Sequence, residues 1–203
     1  ITDAQDTDFT AIARRQDGTL VLGSADGAVY LLTPDGTGIE HRVEIFARVD
    51  ALITSGDTAV VLDRGQTSVT SVSAEGKAQQ SLRAGEGSTT ITIDPAGRVL
   101  VADTRGDELL VFGVDPLIMR QRYPVPAAPY GLAGSDRLAW VSQTAANVVV
   151  GYDLATGIPV EKVRYPTVQQ PDLLAFDDTT GSLFVVSASG AGVQVIENAA
   201  QGR

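Results

Sequence analysis

Apolar residues recur along this chain in short runs, each closed by a polar, glycine-containing turn, and the runs return on a 40-residue ruler. Val21, Val61, Val101 and Val141 fall in register, and Val185 follows after 44 residues. The same spacing aligns Val29, Val69, Leu109, Val149 and Val193, and again Ile12, Leu52, Thr92, Leu132 and Phe176. Three columns that share one late four-residue insertion define an internal repeat. A period near 40 predicts a propeller or a solenoid.

Each repeat divides in the same way. A first strand is predicted at "TAIAR", "ALITS", "TITID", "YGLAG" and "LLAFD", followed by turns such as "QDGT", "SGDT" and "PAGR". Gly with Asp or Ser in those turns supplies hairpin geometry. The second strand ("LVLG", "VVLD", "VLVA", "LAWVS", "LFVVS") is apolar nearly throughout, as expected of a strand covered on both faces. A polar loop leads to a third strand ("AVYLL", "SVTSV", "ELLVF", "NVVVGY", "GVQVI"). A second Gly turn then precedes a more polar fourth, such as "EHRVEIF" or "PVEKVRY". No window sustains apolar residues at i, i+3, i+4, which removes helical alternatives. Four antiparallel strands with only the last one polar describe a propeller blade, so the expected fold class is an all-β propeller.

The five repeats run over 9–48, 49–87, 88–129, 130–171 and 172–203, within one domain spanning 1–203. The fifth stops soon after its third strand. Two arrangements follow: "ITDAQDTD" supplies the missing outer strand of a five-bladed ring, or the chain is part of a larger propeller. In the second case it needs missing blades or a partner chain to cover its blade faces and strand edges. The chain begins at Ile1 without a signal-peptide pattern, which reads as a mature or trimmed piece.

Composition narrows the function classes. With 43% hydrophobic and 20% charged residues the chain reads as globular, and its apolar runs are strand-sized, far from the ~20 residues of a membrane helix. A net charge of −10 argues against nucleic acid and against anionic membrane surfaces. Cysteine is absent, which removes disulfides, thiolate nucleophiles and Cys-ligated zinc.

At the fourth repeat the residues resemble a known group. "WVSQ" followed by "NVVVGYDLATG" is similar to the YVTN repeat: Trp140, Val141, Ser142 and Gln143 stand at its four signature positions, with Gln143 replacing Asn. Asn147, Val148, Val150, Asp153, Thr156 and Gly157 continue it. "PYGLA" at 129–133 resembles the lead-in of YVTN- and NHL-type blades, and "GSADGAVYLLTPDG" resembles the strand pair of quinoprotein-type repeats. The resemblance implies a bacterial propeller, exported or attached to the cell envelope. Such proteins are commonly binding or scaffold modules, with lactonase-like enzymes among their relatives.

Candidate chemistry sits on the loops between second and third strands and on the links between repeats. Gly23, Asp63, Asp103, Gln143 and Ser187 hold equivalent places about 40 apart. The links bring Asp50, Thr90, Tyr130 and Asp172 toward the same mouth, with Arg64, Arg105, Asp107, Glu108 and Asn147 behind it. Converging carboxylates could hold a hard cation such as Ca²⁺, which in a lactonase-like mechanism polarises a carbonyl and acidifies a water. The competing role for Asp63 and Asp103 is to bond backbone amides of their own Gly-rich loops, as Asx turns do. The only histidine, His41, falls in an outer strand, which disfavours lyases and hydrolases that need an axial His. Arg105-Gly106-Asp107 matches an integrin-type ligand, and a charged turn tip accounts for it equally well. Tyr130 follows the Pro-rich link "YPVPAAP" and is the aromatic best placed for a ligand; Trp140 lies mid-strand, as core residues do.

Two readings emerge. In the first, the chain is a non-enzymatic, extracytoplasmic module that needs no cofactor. It binds a protein or small ligand through Asp50, Asp63, Arg64, Asp103, Arg105, Asp107, Tyr130, Gln143, Asn147 and Asp172. In the second it is a metal-dependent, lactonase-type hydrolase with a carboxylate-lined mouth.

Overall fold

A computed structural model describes Ile1 and residues 4–201. Among the described residues the strands form five antiparallel sheets, each in chain order, so every strand pairs with its sequence neighbour through a short connection. The first sheet holds β1 (Phe9–Arg14), β2 (Leu20–Ser24), β3 (Ala28–Leu32) and β4 (Ile39–Glu44). The second holds β5 (Ala51–Ser55), β6 (Thr58–Asp63), β7 (Ser68–Val72) and β8 (Ala78–Arg83). The third holds β9 (Ser88–Ile93), β10 (Val99–Asp103), β11 (Glu108–Val114) and β12 (Leu117–Pro124). The fourth holds β13 (Pro129–Gly134), β14 (Ala139–Gln143), β15 (Val148–Asp153) and β16 (Val160–Pro166). The fifth has three strands, β17 (Pro171–Asp177), β18 (Ser182–Ser187) and β19 (Val193–Ile196).

The chain forms two compact units. One comprises the residues up to Ala84 together with Val114–Ile118; the other comprises Gly85–Gly113 and the chain from Met119 onward. In the first unit, Val21, Val29, Leu31 and Val43 of the first sheet pack on Leu52, Ala59, Val61 and Val72 of the second. In the second unit, Leu100, Leu109 and Val111 of the third sheet meet Leu132, Val141, Val150 and Tyr152 of the fourth. Across its other face the fourth sheet packs Trp140 and Val149 on Leu183, Val185 and Ile196 of the fifth. Trp140 also stacks on Phe176 with ring centroids 5.6 Å apart, and its indole N–H donates to Ser135 Oγ at 3.3 Å. These faces are built from β-branched and leucine side chains that alternate across the pleat, and their burial is the main term holding sheet to sheet.

Two sequence expectations need correction. In the first three sheets the first strand is only half-buried, unlike the second and third, because it is an edge strand with a single neighbour, whereas β13 of the fourth is largely buried. Among the described residues the fifth sheet has three strands, and the chain from Ala4 to Asp6 forms turns before β1. The ruler also slips. The ladders pair Ile12 with Leu22, Leu52 with Val61, Ile91 with Val101, Leu132 with Val141 and Leu174 with Val185. Leu22, Ile91 and Leu174 therefore replace Val21, Thr92 and Phe176 in the aligned columns. Paired residues lie ten, nine, ten, nine and eleven apart, because the first turn differs in length from repeat to repeat. A one-residue error of this kind exchanges the two faces of a strand.

Candidate functional site

The loops between second and third strands, and the links between sheets, carry the candidate residues. The same ladder row ends the second strand in each sheet: Ser24, Asp63, Asp103, Gln143 and Ser187. Ser24 takes the place the ruler assigned to Gly23.

In the first unit Asp63 is fully buried. Its Oδ2 accepts the amide of Ala47 at 2.6 Å and lies 3.5 Å from that of Arg48, and its Oδ1 accepts the amide of Gln66 at 2.9 Å. One carboxylate thus ties its own loop to the link that leads into its sheet. Asp50 works beside it: Oδ2 accepts the Arg64 amide at 2.8 Å, and Oδ1 pairs with Arg48 Nε at 3.3 Å. Arg48 and Arg64 are exposed.

In the second unit Asp103 repeats the arrangement. It too is fully buried; Oδ2 accepts the Glu86 amide at 2.7 Å, and Oδ1 accepts Gly87 at 2.7 Å and Gly106 at 3.1 Å. A Cβ on Gly85 would fall 1.9 Å from Asp103 Oδ2, and one on Gly106 would fall 2.1 Å from it, so this close approach of backbone to carboxylate requires glycine at both positions. Burying a carboxylate is costly unless its lone pairs are filled, and here backbone amides fill them.

The other candidates are fixed in related ways. Asp107, at φ +53, accepts the Ala128 amide on Oδ1 at 2.9 Å, while its carbonyl accepts Val125 N–H at 2.7 Å. The Arg-Gly-Asp tripeptide is thereby a loop anchored at its third residue, with Arg105 exposed beside it. Gln143 is buried and accepts Arg164 Nη1 at 2.8 Å. Asn147, at φ +54, accepts the Gln170 amide at 2.8 Å. Ser187 Oγ donates to the Gln169 carbonyl at 2.5 Å and accepts the Ser189 and Ala191 amides, each at 3.2 Å. Glu108 pairs with Arg122 at 2.6 Å, and that hydrogen bond raises the Arg122 pKa above its ordinary value. Tyr130 is half-buried, and its carbonyl accepts the Thr90 hydroxyl. Asp172 is half-buried, with an Oδ1 that takes no hydrogen bond among the described residues.

Two inter-sheet latches were missed by the sequence reading. The Thr104 hydroxyl donates to the Pro129 carbonyl at 2.5 Å, and the Thr144 hydroxyl donates to the Pro171 carbonyl at 2.7 Å. In both, the residue after the second strand reaches the first residue of the next sheet. The available signal was two Thr-to-Pro spacings of 25 and 27 residues.

Taken one at a time, the donor sets at Asp63 and at Asp103 do not suit a calcium ion. The oxygens of Asp63 and Asp103 already face backbone N–H groups, which would have to be turned away to admit a cation. Among the described residues no group of three or more His, Asp or Glu side chains is placed to share an ion. His41 lies in β4, with the Gly76 turn against its Cβ.

No protein-family model and no curated sequence matches the chain. Solved structures do. Virginiamycin B lyase from Staphylococcus aureus is similar over 95% of this chain and 70% of its own, with a TM-score of 0.71 and 16% identity. A chain of the mitotic checkpoint complex is similar over 91% of this chain and 60% of its own (TM-score 0.78, 10% identity). A chain of the BBS1N–ARL6DN complex is similar over 94% and 61% respectively (TM-score 0.75, 13% identity). These are β-propeller proteins, and the chain has their fold, its sheets being blades. It spans about 60–70% of the length of the chains it matches. A variant of the lyase with one histidine replaced by alanine is catalytically inactive.

Proposed function

We propose that this protein is a non-enzymatic binding module that holds a protein partner on its loop-bearing face. The observation that carries the reading is the use of the two buried loop carboxylates. Asp63 and Asp103 are each occupied by backbone amides from two segments, so they fix the loops in place rather than face a substrate. Fixed loops lower the ordering cost of association, which is the property a recognition surface needs. Arg48 and Arg64 project, exposed, from these loops in the first unit, and Arg105 does so in the second; each unit by itself thus offers cationic side chains suited to an acidic partner segment. Two of the similar propellers are themselves found in complexes, which supports a protein partner. The finer assignment we propose is a YVTN-like, extracytoplasmic module, on the strength of "WVSQ" and "NVVVGYDLATG".

The test is partner capture with wild type and with an Arg48→Ala, Arg64→Ala, Arg105→Ala triple variant, alongside turnover of a lactone panel. A partner retained by wild type and lost by the folded variant supports the reading. Lactone turnover that Asp103→Ala abolishes without lowering Tm contradicts it.

A further inference from the structure

In four of the blades the first strand breaks its pleat near the start. The register slips between Phe9 and Ala11 in the first blade, which sets Thr10 out of the alternation, and between Ser88 and Thr90 in the third, which does the same to Thr89. In the fourth and fifth blades, both in the second unit, the slip falls at Tyr130 and at Asp172, each directly after a proline. A bulge of this kind re-aims its side chain, and such positions gather next to binding and active sites.

The two threonines are spent inside the fold. Thr10 Oγ1 bonds the carbonyls of Gly23 and Val49, and Thr89 Oγ1 bonds Thr104 Oγ1 at 2.5 Å. The other two side chains are left over. Among the described residues the half-buried Asp172 carboxylate accepts no hydrogen bond and joins no ion pair, although its Oδ1 is buried. Tyr130 is half-buried as well, and its hydroxyl has no partner among the described residues.

These two bulges lie against each other. A Cβ on Gly131, the residue after Tyr130, would fall 2.9 Å from the Asp172 carbonyl. Backbone bonds hold both in place: the Thr104 and Thr144 latches grip the Pro129 and Pro171 carbonyls, and the Thr90 hydroxyl grips the carbonyl of Tyr130 itself. The positions are thus fixed in advance while their side chains stay unused. A partly buried carboxylate without a partner is costly, and a bound cation relieves that cost. One carboxylate falls short of the six or more oxygens that calcium takes. A carboxylate beside an aromatic ring instead suits an organic cation, which pairs its charge with the first and lies over the face of the second.

We propose that Tyr130 and Asp172 form a site for an alkylammonium group, carried by a lysine of a partner or by a small quaternary amine. The net charge of −10 raises the concentration of such cations near the surface. The site goes beyond the arginine-based reading of function: it uses other side chains, takes the opposite charge and lies wholly within the second unit.

The experiment is a chemical-shift titration of the isotope-labelled protein with Nα-acetyl-lysine methylamide, with choline, and with Nα-acetyl-norleucine methylamide as the uncharged counterpart. At least one cation should move the amides of Gly131 and Leu173 saturably, and the norleucine compound should not. Asp172→Asn should weaken binding roughly tenfold, and Tyr130→Leu about threefold. Asp57→Asn removes the same charge from an exposed turn of the first unit and should change nothing. Neither the Tyr130 nor the Asp172 side chain bonds to the rest of the protein, so both variants should melt with wild type. Tighter binding of the lysine compound supports the site with a protein side chain as its ligand, and tighter binding of choline supports it with a small molecule. No saturable shift with either cation, an equal response to norleucine, or an Asp172→Asn variant that binds as wild type does would overturn the proposal.

Discussion

Asp103 Oδ1 accepts the Gly87 amide at 2.7 Å, joining the end of β10 to the segment that leads into its own blade. Asp63 makes the corresponding connection to Ala47, and Ser187 makes it to Gln169 by donating its hydroxyl. Three different bonds at one ladder row serve the same end, holding the loop and the preceding link as one piece. In the structure Asp63 and Asp103 hold the loops from which Arg64 and Arg105 project.

The threonine latches should be worth a measurable amount. Thr104→Val and Thr144→Val keep shape but leave the Pro129 and Pro171 carbonyls without their hydroxyl donor. Each should cost about 1 kcal/mol, or roughly 2–4 °C in Tm. Thr→Ser at either position should restore most of the loss, as read by thermal melts of the four variants.

Calcium should be without effect. Because the Asp63 and Asp103 oxygens are spent on amides, melts with calcium, with chelator and with neither should agree to within about a degree, whereas an ion bound to the folded state would raise Tm with its concentration. Elemental analysis of the purified protein checks the same point.

Acid should weaken the turns before the cores. The Thr33 hydroxyl, then that of Thr37, hold Asp35 down from its ordinary 3.8 to about 2. Hydrogen bonds to Thr19 and Thr180 likewise lower Asp17 and Asp177. A depressed carboxyl stabilises the fold above its unfolded pKa and loses that contribution as pH falls through the folded value. Tm should therefore fall between pH 3.8 and about 2. Asp35→Asn should flatten that slope while leaving Tm near neutral pH slightly reduced.

Much of the fold was legible because period and turn chemistry agree. The segments "ALITS", "AVYLL" and "SVTSV" coincide with β5, β3 and β7. The row Val29, Val69, Leu109, Val149 and Val193 survives in the ladders, because it sits just past a loop whose geometry repeats. Rows that cross the first turn drifted: Val21 gave way to Leu22 and Thr92 to Ile91, since that turn changes length. At the site, the Asx-type role weighed for Asp63 and Asp103 describes half of what they do. The other half, reaching back to Ala47 and to Glu86 and Gly87, spans 16 or 17 residues and leaves no local pattern. Gln143 was legible as a position and not as a partner of Arg164, which lies on the outer strand 21 residues away.

Trp140 should report on the second unit. It is the only tryptophan, fully buried and stacked on Phe176. Its emission should be that of a dry indole and should shift red on unfolding. Phe176→Ala should remove the stack and a large apolar contact, lowering stability by about 3 kcal/mol. A denaturant titration followed by fluorescence gives both values.

The most direct test of the account is the melting temperature of Asp103→Ala. Removing a buried carboxylate that accepts the amides of Glu86, Gly87 and Gly106 should cost about 3 kcal/mol or more, lowering Tm by roughly 6–12 °C. A variant that melts with wild type would show that Asp103 carries no structural load, and would return it to the chemistry its loop position first suggested.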